Sequence, residues 1–133
     1  MAGTIVADTL QNGAGTSTSM DNAINGSAKA WLRYNGSTST INASYNVSSV
    51  TVNGTGDFTI NFTNALTDAN YSLVGCGSFA DGTTGNSDIG VVGPYRGSTT
   101  PLTTTTARIS VTYRTAPNTA FASLSIISVV INR

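Results

Sequence analysis

Six carboxylates and six cations are all the side-chain charge on this chain of 133 residues, and it has no histidine. The acids are Asp8, Asp21, Asp57, Asp68, Asp81 and Asp88. Paired carboxylates with a Tyr, His or Lys partner would serve a glycosidase or a polysaccharide lyase. Here Asp57, Asp68 and Asp81 stand in Gly-Asp, Thr-Asp-Ala-Asn and Asp-Gly contexts, where an Asp side chain stabilises a backbone turn. None of the acids has the alternating spacing of a calcium loop. Without His, and with Cys76 as the single thiol, neither a zinc site nor a serine or cysteine triad can be assembled. The expectation is a non-enzymatic protein with no cofactor and no metal.

Binding chemistry has more to work with. Trp31, Tyr34, Tyr45, Tyr71, Tyr95 and Tyr113 carry rings whose faces complement the apolar faces of pyranose sugars. Most of them fall at alternating positions of strand-like runs, which reads as core or interface packing. Tyr95 and Arg96, in Pro94-Tyr95-Arg96-Gly97, are the exception: an aromatic beside a cation on a loop is a candidate ligand contact. Cys76, between Gly75 and Gly77 on an apolar run, reads as a small buried residue, and it cannot close a disulfide within the chain.

The elements that must hold these residues are strands. Glu is absent and Lys occurs once, so exposed helix faces lack their usual formers. Thr (22), Ser (16), Asn (13) and Gly (14) supply almost half the chain. Net charge is zero, which leaves no electrostatic footprint for nucleic acid or an anionic membrane. The longest apolar run, Ile126 to Ile131, is far short of the roughly 20 residues a membrane span needs. No charged n-region or long apolar h-region opens the sequence, so the expectation is synthesis in a cytoplasm without signal-directed export.

Residues 1–26 read as an extended N-terminal arm or linker with a short strand over 4–10, its apolar contacts being Ile5, Val6 and Leu10. Residues 27–133 read as one antiparallel β-sandwich domain, jelly-roll-like, with short strands and turn signals at regular intervals. Ala30, Leu32 and Tyr34 alternate with Lys29, Trp31 and Arg33, and Asn35-Gly36 follows as a turn. Val47 to Val52 and Phe58 to Phe62 form a hairpin around Asn53-Gly54-Thr55-Gly56-Asp57, with Phe58, Ile60 and Phe62 two apart on one face. Tyr71 to Ser78 is a strand whose glycines suggest a bulge or close packing against another chain. Ile89 to Val92 is a short strand, and Gly97 to Thr106 is a Thr-rich loop. Ala107, Ile109, Val111 and Tyr113 then alternate on a half-buried strand that ends at Pro117. The last strand, Ala122 to Ile131, is apolar on both faces. Leu124, Ile126 and Val130 lie on one, and Ile127, Val129 and Ile131 on the other. Such a strand is either central and covered on both sides or uses its second face against another subunit; the favoured expectation is a homo-oligomer with Ile127, Val129 and Ile131 at the contact.

The stretch from Asp21 to Gly75 resembles a module recurrent in virion proteins of tailed bacteriophages, especially marine and cyanobacterial phages. The residues that carry the resemblance are Asn25-Gly26-Ser27-Ala28-Lys29-Ala30-Trp31, Tyr34-Asn35-Gly36, Ala43 to Val50, Asn53 to Thr63 and Asp68-Ala69-Asn70-Tyr71. The resemblance implies a structural protein of the virion, found in tail-fibre-like and decoration proteins and assembled as a homotrimer in the host cytoplasm. It brings no catalytic residues. With a short chain and an arm, it points to a capsid decoration or cement protein or a short head fibre, attached through the arm to the major capsid protein or a tail component. The alternative is a tail-fibre module that recognises host surface carbohydrate.

Overall fold

The computed structural model describes residues 3, 7–79, 90–115 and 118–133. Ile5 and Val6 lie outside them, as do Asp81, Asp88, Ile89 and Pro117. Over these residues the chain is all-β and antiparallel apart from one short helix. In order, its elements are β1 (Thr9–Gln11), β2 (Ser17–Ser19), α1 (Met20–Gly26), β3 (Ala28–Asn35), β4 (Thr40–Tyr45), β5 (Val47–Gly54) and β6 (Asp57–Phe62). There follow β7 (Ser72–Ser78), β8 (Gly90–Pro94), β9 (Thr106–Thr115), β10 (Asn118–Phe121) and β11 (Ile126–Asn132).

Strands β3 to β11 form one curled sheet in the order β4-β3-β11-β7-β8-β9-β6-β5, with β10 paired to β9 beside the end of β6. The two ends of that order, β4 and β5, are successive in the chain and turn into each other at Asn46. The sheet is therefore barrel-like and nearly closed, of β-sandwich type. Asn46 makes this corner with a φ of 54°, a left-handed conformation that Asn adopts more readily than other residues with a side chain. Its amide donates to the Lys29 and Asn64 carbonyls at 3.1 and 3.2 Å and accepts from the Asn64 N–H at 2.8 Å. One side chain thus ties the corner to the start of β3 and to the chain beyond β6.

The core lies inside the curl. Ala30, Leu32 and Tyr34 face it from β3, Phe58, Ile60 and Phe62 from β6, and Ala107, Ile109 and Val111 from β9. These are the faces that the two-residue periodicity predicts. Burying each large side chain contributes roughly 1.5–3 kcal/mol. Tyr34 packs edge-on against Phe58 at 5.4 Å between ring centres, and Phe62 against Tyr71 at 6.0 Å.

Ile127, Val129 and Ile131, expected at a contact between subunits, are instead buried in this core. β11 is a central strand with β3 on one side and β7 on the other, so the more apolar of its faces closes the chain's own interior. The run from Ala122 to Ile131 is also not one strand. β10 ends at Phe121, and a connection carrying the buried Leu124 precedes β11. Leu124 explains two glycines. Gly77 and Gly90 are directly opposed across β7 and β8, and a Cβ on either would come within 2.6 or 2.2 Å of Leu124 Cδ1. The close packing expected of the β7 glycines is therefore within this chain, Gly77 against Leu124 and Gly75 against Val92 and the Ser128 carbonyl.

Residues 7–26 differ from the expected extended arm. β1 and β2 form a small hairpin separate from the large sheet, closed by Asn12, whose side-chain oxygen accepts from the Ala14 and Thr16 N–H groups at 3.0 Å each. α1 follows directly, capped by Ser19, whose hydroxyl accepts from the Asn22 N–H at 3.1 Å.

Candidate functional site

Tyr95 and Arg96 follow β8 directly, and the structure gives them different surroundings. The Tyr95 ring lies under the Arg108 guanidinium, 4.1 Å from ring centre to Cζ. The Tyr95 N–H donates to the Arg108 carbonyl at 2.9 Å, and the Arg108 N–H donates to the Pro101 carbonyl at 2.7 Å. Gly97 permits this arrangement, because a Cβ there would meet the Tyr95 ring at 2.5 Å. Tyr95 is thereby an anchor for its loop. Arg96, exposed, projects beside it.

Arg108 in turn grips Asp57 with two hydrogen bonds, Nε to Oδ1 at 3.0 Å and Nη2 to Oδ2 at 2.7 Å. Asn53 donates to the same carboxylate at 3.2 Å and to the Thr59 hydroxyl at 2.9 Å. The Arg108 hydrogen bonds hold the Asp57 carboxyl below the ordinary carboxylate range, against the opposing effect of its burial, and Asn53 adds to the lowering. Asp68 is likewise held low, first by Arg133, which grips both its oxygens, and then by the Asn70 N–H. Both carboxylates are committed as ionised partners of an arginine, not poised to exchange protons. Among the described residues, no three of His, Cys, Asp or Glu converge as a metal site would require.

The outward face of the sheet divides in two. Over β9, β6 and β5 it is polar: besides the Asp57 network, Asn61 donates to the Ser49 and Thr51 hydroxyls at 3.0 and 3.1 Å. Over β4, β3, β11 and β7 it carries a continuous apolar row. Tyr45 stands opposite Trp31, Trp31 opposite Val130, and Val130 opposite Val74. All four are exposed, Tyr45 by 57% and Val74 by 66%. The next row along the same strands is small or polar, with Ala43, Arg33, Ser128 and Cys76 in register, and Arg33 donates to the Ser128 hydroxyl at 3.2 Å. Cys76, expected to be buried, is exposed on this face, because the odd-numbered positions of β7 turn inward.

Two concave regions accompany these faces. One, of about 430 Å3, lies among Ile24, Lys29, Asn46, Leu66 and Arg133. Its two cations are engaged, Lys29 with the Ile24 carbonyl and the Ser27 hydroxyl, and Arg133 with Asp68. The other, of about 340 Å3, lies on the outward side of β8, β9 and β10 and includes Arg96. Leu10 is exposed on β1, away from both.

The composition of Trp31 and Val130 signalled nothing about the row, because nothing in the sequence states that β3 pairs with β11. Arg108 carried a weak signal, as the polar member of an alternating run. No family model matches this chain, and neither a curated protein nor a solved structure does.

Proposed function

We propose that this chain is a non-enzymatic structural protein of a tailed-phage virion, a capsid decoration or cement protein or a short head fibre. In this reading it assembles with copies of itself as a homotrimer and attaches to the major capsid protein or a tail component through its N-terminal segment. The architecture proposed for that role is jelly-roll-like, with the β4-β3-β11-β7 and β8-β9-β6-β5 halves of the curled sheet facing each other across the core.

The observation that carries the reading is the outward row of Tyr45, Trp31, Val130 and Val74. Those four residues together expose roughly 300–400 Å2, the size of the largest apolar patch on a typical soluble domain, and such patches are often functional. A second copy of this chain is the occupant that suits it. The row itself is uncharged, and the two cations of β3 are turned to their own chain, Lys29 to the Ile24 carbonyl and the Ser27 hydroxyl and Arg33 to the Ser128 hydroxyl. The resemblance of Asp21 to Gly75 to phage virion modules supplies the setting.

Quantitative mass spectrometry of purified particles, scaled to the major capsid protein, tests the placement. Hundreds of copies per particle are expected for a decoration protein, and a few to a few tens would move it to the tail. No copies at all would overturn the reading. A second reading, a tail-fibre module recognising host surface carbohydrate, is favoured by the groove beside Arg96.

A further inference from the structure

One strand beyond Val74, the outward face of β8, β9 and β10 forms the groove of about 340 Å3, near the lower end of the range for small-molecule sites. Its floor follows the strand register. Gly93 lies opposite Ser110, Val91 opposite Thr112, and Thr112 opposite Phe121. Gly93 carries no side chain, so a flat ring can approach the sheet backbone there. Phe121, 50% exposed, forms one wall. Thr112, half-buried, and Ser110, 7% exposed at the floor, bring hydroxyls that both donate and accept, and the Ser110 hydroxyl reaches the Gly93 carbonyl only at 3.5 Å. Among the described residues that line the groove, Arg96 is the charged one.

From this arrangement we infer that the groove binds an acidic saccharide, a pyranose unit bearing a carboxylate. Phe121 stacks on the apolar face of the ring, as aromatic side chains do with such surfaces. Ser110 and Thr112 bond its hydroxyls, and the planar fork of Arg96 pairs with its carboxylate. A neutral, purely apolar ligand would leave both hydroxyls and the guanidinium unused. A simple carboxylate would leave Phe121 unused. Tyr95 is a positioning residue here: its stack on Arg108 and its hydrogen bond to the Arg108 carbonyl fix the loop that presents Arg96. The inference rests on the carbohydrate reading and is independent of particle attachment.

The test is an amide chemical-shift titration of the full chain with glucuronic acid, glucose and acetate as probes at neutral pH. Glucuronic acid is expected to shift the Gly93, Thr112 and Phe121 amides saturably, glucose to bind about fivefold more weakly, and acetate to leave them unmoved. Phe121→Ala is expected to weaken both sugars by about tenfold. Arg96→Gln, at an exposed loop position that leaves the fold intact, should bring glucuronic acid down to the affinity of glucose. Tyr95→Ala should cost part of the preference for the acid without abolishing binding of glucose. Saturable shifts from neither sugar, equal affinity for the two in the unmodified chain, or an undiminished preference in Arg96→Gln would each overturn the assignment.

Discussion

Trp31 and Val130 are directly opposed across the β3-β11 pair, and both point away from the core. Their neighbours Ala30, Leu32, Val129 and Ile131 point into it. This pair of strands therefore carries an apolar inner side, covered by the chain itself, and an apolar row on its outer side that the chain leaves uncovered. The contact between copies proposed above would use the uncovered side, which the same pleat that builds the interior turns outward.

Cys76 would report on the proposed contact. It stands opposite Ser128, next to the Trp31-Val130 row, and its side chain is exposed. As protein concentration rises through the association range, its reaction with a thiol reagent is expected to slow several-fold. In Trp31→Ser the rate should stay constant across the same concentrations. A rate independent of concentration in the unmodified chain would place the contact elsewhere.

Asn46 holds the corner where the sheet nearly closes. Asn46→Ala removes three side-chain hydrogen bonds and puts a Cβ-bearing residue without Asn's tolerance at a φ of 54°. The expected cost is about 2 kcal/mol of stability, read from urea unfolding. Asn46→Gly keeps the backbone conformation and loses the hydrogen bonds, so its midpoint should fall between the two.

Gly56 has no comparable latitude. It sits at φ 65° in the turn between β5 and β6, and a Cβ there would lie 2.4 Å from the Val111 carbonyl oxygen and 2.7 Å from the Ala122 nitrogen. Both are backbone atoms of the β9-β10 region, where the Val111 N–H donates to Gly56 and the Ala122 N–H to Val111. Gly56→Ala is expected to cost at least about 3 kcal/mol, visible as a large drop in the thermal midpoint.

The pH profile of stability has two edges. Asp57 has a folded pKa below its unfolded value near 3.8, so its contribution is complete above that value and is lost as pH falls below it. Asp57→Asn should flatten this acid edge. At the other end, burial pushes the Tyr71 hydroxyl up to about 12 from 10.0, while it donates to the Thr103 and Thr106 carbonyls. Its neutral form stabilises the fold below pH 10, and that contribution declines as pH rises towards 12. Tyr71→Phe should soften the alkaline loss. With no histidine in the chain, stability between these edges is expected to vary little. Unfolding followed by circular dichroism across pH checks all three statements.

Much of the interior was legible because it obeys a local rule. The alternation in Phe58-Thr59-Ile60-Asn61-Phe62 and in Ala107 to Val111 names the buried face without knowledge of any partner strand. What escaped depends on partners far away in sequence. The periodicity of β11 shows two apolar faces but not which is covered, since that is decided by β3 and β7. Arg108 becomes the partner of both Tyr95 and Asp57 only once β9 lies between β8 and β6. α1 escaped for a different reason: Met20-Asp21-Asn22-Ala23-Ile24-Asn25-Gly26 is poor in helix formers, and only Ser19 with Asp21 in the first turn marks its start.

The most direct test is sedimentation of the full chain over a range of concentrations, beside Trp31→Ser and Val130→Ser, each on an outward position that the core does not use. The unmodified chain should sediment as an oligomer, a trimer in the assembly proposed, and both variants should shift to monomer while keeping their circular dichroism. A chain that remains monomeric at every concentration, or oligomers unaffected by both substitutions, would contradict assembly through the Trp31-Val130 face.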